Sequence, residues 1–272
     1  MKFLAHVPGP PLSDFVEMFW LYEGYDPGHP RERLLPTGTT ELVFDLDDAP
    51  MRIAPHDEAA FRTFRGPVLC GVHAEPFVID TSLPAAVLGV HFKPGGAFPF
   101  LPVPADEFRG THVPLDALWG ARAHSLKEEV LNAPSTAGKF AALERGLLSA
   151  ARRPLARHPA VRFALAQFLD GTPVGRVGKV ADRVGLSRRR FIEAFRVEVG
   201  LTPKLFCRVR RFQDVLTHID GHRRVGWSAV AQACGYFDQA HFINDFRAFS
   251  GFNPATFLAV RGAHRNHVPL SA

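Results

Sequence analysis

An internal repeat in the C-terminal part of the chain constrains its fold more than any other feature. The segment Val180-Ala-Asp-Arg-Val-Gly-Leu-Ser187 aligns with Val230-Ala-Gln-Ala-Cys-Gly-Tyr-Phe-Asp238, with matching valine, alanine and glycine residues 50 positions apart. One extra residue in the second copy moves the spacing to 51, where six more pairs are identical: Phe191/Phe242, Phe195/Phe246, Arg196/Arg247, Gly200/Gly251, Pro203/Pro254 and Phe206/Phe257. Two copies are too few for a solenoid, so the repeat predicts two small units of one fold.

Each copy has the parts of a helix-turn-helix. A short first helix ends at Gly185 or Gly235, because glycine adopts the left-handed conformation that terminates a helix. Ser187 or Asp238 then caps the second helix, whose phenylalanines form a buried stripe. A glycine ends this helix and a proline starts the next one. The long helix that begins at Pro203 joins the two units and is expected to set their separation.

The outward face of each second helix carries side chains suited to the DNA major groove. At 100° per residue, the face opposite the first phenylalanine stripe carries Arg189, Glu193 and Arg196. Arginine pairs with guanine, asparagine and glutamine with adenine, glutamate with cytosine, and apolar groups contact the thymine methyl. The predicted outward residues of the second copy are Gln239, Ala240, Ile243, Asn244 and Arg247, with His241 beside them.

The charge distribution indicates a polyanionic partner for the C-terminal part. The net charge of +5 divides into −4 for residues 1–171 and +9 for residues 172–272. A basic domain joined to a mildly acidic one favours nucleic acid as partner, although solubilising surface charge is the alternative when charge is considered alone. Phosphate contacts, which position a protein without reading sequence, are predicted for Arg190, Arg208, Arg210, Arg211, Arg223, Arg224 and His241.

The N-terminal part has the pattern of short β-strands. Residues 1–120 are rich in proline and glycine, with apolar runs at Glu41–Leu46, Pro67–Cys70, Phe77–Asp80 and Ala86–Phe92. Such runs predict a small antiparallel sheet or barrel. Helical spacing begins near residue 115 and continues at Leu115–Trp119, Ala123–Leu131, Lys139–Ala151 and Ala160–Asp170.

Together these patterns predict an α+β protein of two domains. Residues 1–152 form an antiparallel β domain with trailing linker helices, and residues 160–262 form an all-α domain. The all-α domain contains two helix-turn-helix units joined by a long helix. The boundary falls at the basic, proline-containing stretch Arg152–Pro159.

The sequence gives no sign of a membrane or a secretory route. It has no run of about eighteen apolar residues, and its N-terminus lacks the apolar stretch of a secretory signal. Its three cysteines, Cys70, Cys207 and Cys234, are too scattered for a disulfide framework or a cysteine zinc cluster. A cytoplasmic location without a membrane partner is therefore expected.

The C-terminal repeat resembles the DNA-binding domain of AraC/XylS-type transcription regulators. The segment Gly185-Leu-Ser-Arg-Arg-Arg-Phe-Ile-Glu-Ala-Phe-Arg196 is similar to the first half of that domain, and Gly235-Tyr-Phe-Asp-Gln-Ala-His-Phe-Ile-Asn-Asp-Phe-Arg247 to the more specific second half. The resemblance covers residues 160–262. It implies seven helices, two recognition helices in successive major grooves on one face of DNA, and control of transcription, such as activation, through RNA polymerase.

The resemblance also assigns base-contacting positions. It adds Arg188 and Ile192, so the full predicted set is Arg188, Arg189, Ile192, Glu193, Arg196, Gln239, Ala240, Ile243, Asn244 and Arg247. Ala240 and Ile243 depart from the more polar residues often found at these positions. The second helix is therefore expected to depend more on methyl contacts and DNA shape.

For the N-terminal part, the resemblance implies a β-rich, often cupin-like domain that senses a small-molecule effector or forms a homodimer. The segments Trp20–Gly24, Arg33–Gly38, Glu41–Phe44, Phe77–Asp80 and Gly89–Ala97 are similar to a sensor domain attached to such regulators.

Two other functions are compatible with the sequence. In the first, the β domain is a metal-dependent barrel enzyme with His6, Glu41, His73 and His91 as candidate ligands. No tight His-x-His spacing or nucleophile-elbow motif supports it, so neither enzymatic activity nor a metal or cofactor is expected. In the second, the protein binds DNA without an effector and its first half only dimerises.

Overall fold

Two open antiparallel sheets make up most of the N-terminal half in a computed structural model that describes residues 2–55, 60–83, 85–170 and 177–270. The strands are β1 (Lys2–His6), β2 (Val16–Tyr25), β3 (Arg31–Leu34), β4 (Glu41–Asp45), β5 (Met51–Ala54), β6 (Arg62–Phe64), β7 (Val68–Cys70), β8 (Phe77–Asp80), β9 (Ala85–Phe92), β10 (His112–Pro114) and β11 (His267–Leu270). One sheet has the order β1-β2-β9-β4-β7-β10, and the other β11-β3-β8-β5-β6.

These sheets confirm the predicted antiparallel β domain but not a closed barrel. Of the two predicted alternatives, a sheet or a cupin-like barrel, the structure has open sheets, and the barrel alternative is wrong. The edge strands β6 and β10 have three residues each and pair on one side, so they offer few hydrogen bonds with which to close a barrel.

The two faces of the six-stranded sheet lie in different environments, because successive side chains of a strand point to opposite faces. On one face, residues such as Phe19, Phe44 and Leu88 are buried. They pack beneath the helices α1 (Leu115–Trp119), α2 (Ala121–Asn132) and α3 (Thr136–Ala150). The opposite face looks toward the other sheet, and its side chains, such as Trp20 and Val43, are only partly buried. The first face is therefore a filled core, while the second borders unfilled space.

The helical part begins after the linker. Its helices within the described residues are α4 (Pro159–Leu169), α5 (Val177–Arg183), α6 (Arg188–Val199), α7 (Pro203–Ile219), α8 (Trp227–Ala233), α9 (Gln239–Ser250) and α10 (Pro254–Val260). This is the seven-helix arrangement that the resemblance implies. The Ser187 hydroxyl accepts a hydrogen bond from the backbone N–H of Arg190, and the Asp238 carboxylate accepts one from His241. The two N-caps of the repeat are thus formed as predicted.

Phenylalanine side chains hold both units against the connecting helix. Phe191 and Phe195 of α6, and Phe242 and Phe246 of α9, are fully buried. Phe212 of α7 packs edge-on against Phe246, with ring centroids 5.3 Å apart. Full burial of each ring contributes about 2–3 kcal/mol of hydrophobic stabilisation, so the framework of both units is rigid behind α6 and α9.

The end of the chain returns to the N-terminal half. Strand β11 pairs antiparallel with β3, with His267 opposite Leu34 and Leu270 opposite Arg31. The predicted helical domain ends at residue 262, so this strand lies beyond the elements that the sequence pattern indicates. The helical part is therefore connected to the β domain at both of its ends, by the linker before α4 and by β11.

Candidate functional site

Most side chains on the outward face of α6 are exposed. Arg188, Arg189, Glu193 and Arg196 are exposed and Ile192 is partly buried. Behind them, Glu198 is buried, accepts a hydrogen bond from the His158 backbone N–H at 3.0 Å, and pairs with a linker arginine, Arg157. The structure thus brings the predicted base-facing residues of the first unit onto one surface and anchors the opposite side of the helix.

The corresponding face of α9 is also accessible. Gln239, Ala240, Asn244 and Arg247 are exposed, and Ile243 is partly buried. Each helix presents its outward residues opposite its buried phenylalanines, and α7 lies between the two units. At 1.5 Å per residue, the 17 residues of α7 span about 25 Å, a length on the scale of one turn of DNA.

The predicted phosphate contacts fall into two groups. Arg190, Arg223, Arg224 and His241 are exposed. The other three project from α7 and have partners within the protein: Arg208 pairs with Asp245 at 2.6 Å, Arg210 with Asp214 at 3.5 Å, and the guanidinium of Arg211 lies over the Tyr236 ring.

Burial corrects one of these expectations. The Arg211 side chain is only 9% exposed, because it faces the interior of the second unit, so it is not placed to contact phosphate. Arg208 also faces the second unit, through Asp245 and the Phe249 ring. These arginines support the protein core around α9.

A groove runs between α6 and the β domain. The 3-10 turn Ala105–Phe108 forms one wall and the outward face of α6 the other. Within it, a guanidinium nitrogen of Arg196 donates to the Asp106 carboxylate at 2.5 Å, although 90 residues separate them in the chain. Asp106 and Glu107 thus place two acidic side chains beside the arginines of the first outward face.

A cavity of about 830 Å³ lies between the two sheets. Its floor is the partly buried face of the six-stranded sheet, where cross-strand neighbours form three rows: Met18, His91, Glu41 and Cys70; Trp20, Gly89 and Val43; Tyr22, Val87 and Asp45. The opposite wall includes Ile53, Phe77 and Ile79. A volume of this size suits a small organic ligand.

The first of these rows, from Met18 to Cys70, is the polar row of the floor, and it contains an ion pair. His91 donates from Nδ1 to the Glu41 carboxylate at 2.7 Å. Burial alone would lower the pKa of His91 and raise that of Glu41, but their contact reverses both effects, so the pKa of His91 is raised and that of Glu41 is lowered. About a third of the Glu41 side chain, 32%, is accessible. Because Glu41 lies deep between the sheets, this accessible surface faces the cavity.

His73 is a second polar group of the cavity wall. The side chain is 8% exposed, and its Nε2 has no hydrogen-bond partner among the described residues. Burial lowers the pKa of His73 to about 4, so its imidazole is neutral near pH 7. A buried, neutral ring nitrogen without a partner is costly to desolvate unless a ligand or water satisfies it.

The C-terminal tail forms part of the cavity rim. His264, Asn266 and His267 line it, and Asn266 accepts a hydrogen bond from the Gln213 side chain of α7 at 2.9 Å. His267 also bonds to Glu32, which accepts from the Tyr25 hydroxyl. The cavity is therefore in contact with the helical part of the chain.

The four candidate metal ligands of the β domain do not converge. His6 stacks on Phe140, on the core side of the sheet, whereas Glu41, His73 and His91 line the cavity on the other side. Among the described residues, no group of three His, Cys, Asp or Glu side chains is placed to hold a metal ion. No helix within the described ranges is long and apolar enough to cross a membrane.

One exposed aromatic residue of this region has no signal in the sequence. Phe237, directly before the N-cap of α9, is 92% exposed, an uncommon setting for phenylalanine that a repeat alignment does not reveal. The phenylalanines of the β domain divide between core and cavity: Phe92 and Phe100 are buried in the core, whereas Phe77 lines the cavity.

Two family models match the chain. A domain of unknown function, DUF6597, matches residues 4–114, and a helix-turn-helix domain matches residues 180–259. The second match covers both copies of the repeat, from α5 to α10. No curated protein matches the chain.

Several solved structures are similar in arrangement. ToxT from Vibrio cholerae is 10% identical, with a TM-score of 0.49 over 95% of this chain and 98% of that chain. ToxT of strain SCE256 with a bound unsaturated fatty acid is 9% identical, with a TM-score of 0.46 over 88% and 94%. The xylose-binding transcription activator XylR is 22% identical, with a TM-score of 0.30 over 45% and 38%. At these identities and TM-scores, the likeness carries no conclusion about ligand or partner.

Proposed function

We propose that this transcription regulator, which carries an AraC-type helix-turn-helix domain behind a DUF6597 domain, reads duplex DNA with α6 and α9 and is controlled by a small molecule. The observation that carries the proposal is the pair of repeated helix-turn-helix units, each with its N-cap formed. It holds two outward faces with exposed Arg189 and Glu193 in the first unit and exposed Gln239 and Asn244 in the second.

The outward faces of α6 and α9 offer DNA different chemical groups. Arg188, Arg189, Glu193 and Arg196 supply charged groups for base edges, whereas Ala240 and Ile243 suit thymine methyl groups and DNA shape. Arg190, Arg223, Arg224 and His241 are exposed and suited to neutralise phosphates. Their positive charge makes binding dependent on salt, because each neutralised phosphate releases counterions.

The cavity between the sheets is the proposed effector site. It lies in the domain that the resemblance makes a sensor, and residues of the C-terminal tail line its rim. A ligand there would contact groups that belong to both parts of the chain. Binding to the folded state alone raises stability and couples occupancy to the arrangement of the helical part.

We propose binding rather than turnover at this cavity. The thiol of Cys70, which lies in the polar row of the floor, has a pKa raised by burial, so it stays protonated and is a weak nucleophile. His91 is already engaged by Glu41. Contact with RNA polymerase and self-association complete the proposal as implications of the resemblance. A cytoplasmic location is proposed from the three scattered cysteines, which suit a reducing compartment.

The direct test is sequence-specific binding by the full chain. Duplexes selected from a random pool are compared with scrambled duplexes by fluorescence anisotropy, at about 50 and about 200 mM salt. We expect the selected duplexes to bind at least about a thousandfold more tightly, with affinity that falls as salt rises. Equal affinity for selected and scrambled DNA would contradict the proposal.

A further inference from the structure

We infer that the cavity between the sheets takes an uncharged aromatic ligand that donates a hydrogen bond to Glu41. This inference rests on the effector control proposed above and specifies the chemical class of the effector. It is carried by the aromatic and aliphatic side chains of the lining together with Glu41, a partnered carboxylate of the floor that still has accessible surface.

The lining favours a flat, ring-containing molecule. Trp20 lies against the backbone of Gly89, where an added Cβ would come within 2.2 Å of the indole ring. Tyr22 packs edge-on against the same indole at 5.7 Å and against Tyr25 at 5.3 Å. These rings leave aromatic surface beside the aliphatic side chains of the opposite sheet. Aromatic ligands stack well on such surfaces, at a gain beyond area burial.

Glu41 supplies the polar contact. One carboxylate oxygen, Oε1, accepts from His91, and no described residue donates to the other. A carboxylate oxygen has room for more than one donor, so a ligand hydroxyl or amide N–H is a suitable partner. The unpartnered Nε2 of His73, in the cavity wall, offers a second site for a hydrogen bond, on a neutral ring. A mostly buried polar end is therefore present beside the aromatic and aliphatic side chains of the cavity.

Charge argues against an anionic head group at this floor. An anion would meet the carboxylates of Glu41 and Asp45, both of which line the cavity. The guanidinium groups among the described lining residues have partners at the rim: Arg52 pairs with Asp80 at 2.5 Å, and Arg265 donates to the Thr217 hydroxyl at 2.9 Å. Like charges in a space with little water repel strongly.

Charge also disfavours a cation. The carboxylate of Glu41 is already balanced by His91, so an ammonium group would face that imidazole as well as the carboxylate. It would lose its hydration beside a carboxylate that already has a partner. The other carboxylate of the floor, Asp45, is buried and accepts hydrogen bonds from the backbone N–H groups of Asp47 and Ala49. An uncharged donor avoids both costs, because it keeps the hydrogen bond to Glu41 and adds no net charge.

Four ligands with one biphenyl skeleton separate these possibilities. They are 4-hydroxybiphenyl, biphenyl itself, biphenyl-4-carboxylate and (biphenyl-4-yl)methylammonium. Binding to the full chain is measured by thermal shift and by quenching of tryptophan fluorescence, since Trp20 lines the cavity. We expect 4-hydroxybiphenyl to bind about tenfold or more tightly than biphenyl, as for a hydrogen bond to a charged acceptor, and both charged ligands to bind more weakly still.

Two variants locate the binding. Gly89→Ala places a Cβ against the indole and drives Trp20 into the cavity, so binding of all four ligands should be lost. Gly9→Ala is the matched control, because nothing lies within 4 Å of its added Cβ. Glu41→Gln removes the charge of the acceptor, so the preference for the hydroxyl ligand should fall to about threefold or less.

The outcomes are decisive for the ligand class. Tighter binding of the carboxylate or the ammonium ligand, or unchanged binding by the Gly89→Ala variant, would overturn the inference. Failure of all four to bind the parent chain would overturn it too. The proposed DNA binding is measured on the same preparation and is unaffected by that failure.

A second inference comes from the groove beside α6. We propose that Asp106 competes with DNA for Arg196 and thereby restrains the first recognition helix. The two side chains pair at 2.5 Å, and Arg196 is one of the predicted base-facing residues. Glu107 is exposed in the same acidic turn, so the β domain places negative charge where a phosphate backbone would approach.

Besides the Arg196–Asp106 pair, α6 also contacts the β domain at its C-terminal end. The helix ends at Gly200, whose added Cβ would come within 2.5 Å of the Val72 side chain and 3.2 Å of the Ala105 carbonyl oxygen. This close approach holds the acidic turn against the last turn of α6. The Arg196–Asp106 pair is half-exposed on the arginine side, at 51%, and is therefore accessible to competition by DNA.

The test replaces Asp106 by asparagine in the full chain. Asp106→Asn should raise the affinity for the selected duplex about two- to fivefold, as for loss of an exposed ion pair that competes with binding. Asp116→Asn is the matched control, because it removes the same charge from the exposed first turn of α1. Affinity of Asp106→Asn that equals or falls below the parent and the control would overturn the proposal.

Discussion

Glu32 and His267 lie 235 residues apart in the chain, and Nδ1 of His267 donates a hydrogen bond to Oε2 of Glu32 at 2.8 Å. The Tyr25 hydroxyl donates to the same oxygen at 2.5 Å, and His29 bonds to the other. Strand β3, from the first part of the chain, and strand β11, at its end, thus meet at one buried carboxylate. Through it, the tail that follows the helix-turn-helix units is held in the β domain.

The first prediction concerns acid stability at Glu32. Burial alone would raise the pKa of Glu32, but hydrogen bonds from His267, Tyr25 and His29 lower it from 4.5 to about 2. The stabilisation from ionised Glu32 is therefore complete above pH 4.5 and is lost as the pH falls toward 2. It amounts to at most about 3 kcal/mol.

Thermal melts followed by circular dichroism test it. The parent should lose stability more steeply than Glu32→Gln over that acidic window, and the variant should be the less stable of the two near pH 7. Glu23→Gln, which alters an exposed carboxylate, is the control. Parallel pH profiles for the parent and Glu32→Gln would rule out this role.

Two glycines that follow helices of the DNA-binding part, Gly200 after α6 and Gly235 after α8, should respond differently to alanine. Gly200 and Gly235 both have positive φ, +83° and +73°, so either substitution costs about 1–2 kcal/mol of backbone strain. Only Gly200 also has Val72 and Ala105 within contact of its added Cβ. We expect Gly200→Ala to cost about 2–4 kcal/mol. Denaturant unfolding of both variants gives the comparison, and equal losses would argue against a close contact between α6 and the β domain.

Ala240 and Ile243, the apolar residues on the outward face of α9, predict a contact with thymine methyl groups. Replacing thymine by uracil at operator positions that face α9 should weaken binding about three- to fourfold per methyl contacted, as for one buried methyl group. The same replacement opposite α6, which presents mainly charged groups, should have little effect. Anisotropy with the two substituted duplexes measures the difference, and equal effects at both positions would contradict the assignment.

Exposed and buried arginines should differ in their effect on salt dependence. Arg223→Ala should weaken binding to specific and scrambled duplexes alike and reduce the slope of log affinity against log salt by about 1. Arg211→Ala should lower the melting temperature instead, because Arg211 is buried over Tyr236. A salt slope changed by Arg211→Ala but not by Arg223→Ala would reverse these roles.

The repeat made the helical part predictable. Caps at Ser187 and Asp238, and glycines at the ends of α6 and α9, are local signals that depend only on neighbouring residues. Exposure of the outward faces followed from helical periodicity. The burial of Arg211 did not, because the second unit packs against the side of α7 that carries it, and a sequence repeat does not specify that packing.

The β domain was predictable in its strands but not in their assembly. Alternation in Glu41-Leu-Val-Phe-Asp45 indicates two faces, and Leu42 and Phe44 are indeed buried. It does not indicate whether Glu41 faces solvent or a second sheet, which depends on pairings between distant strands. Strand β11 is a four-residue segment stabilised by β3, more than 230 positions away, and carries no strong local pattern.

Footprinting on a selected operator tests the central claim most directly, namely that α6 and α9 read two successive major grooves. The parent chain should protect two clusters on one face of the duplex, centred about 10 base pairs apart. Arg189→Ala should cost about 1–3 kcal/mol of discrimination at one cluster only, and Asn244→Ala at the other only. A single protected cluster, or equal losses by both variants on operator and random DNA, would contradict the account.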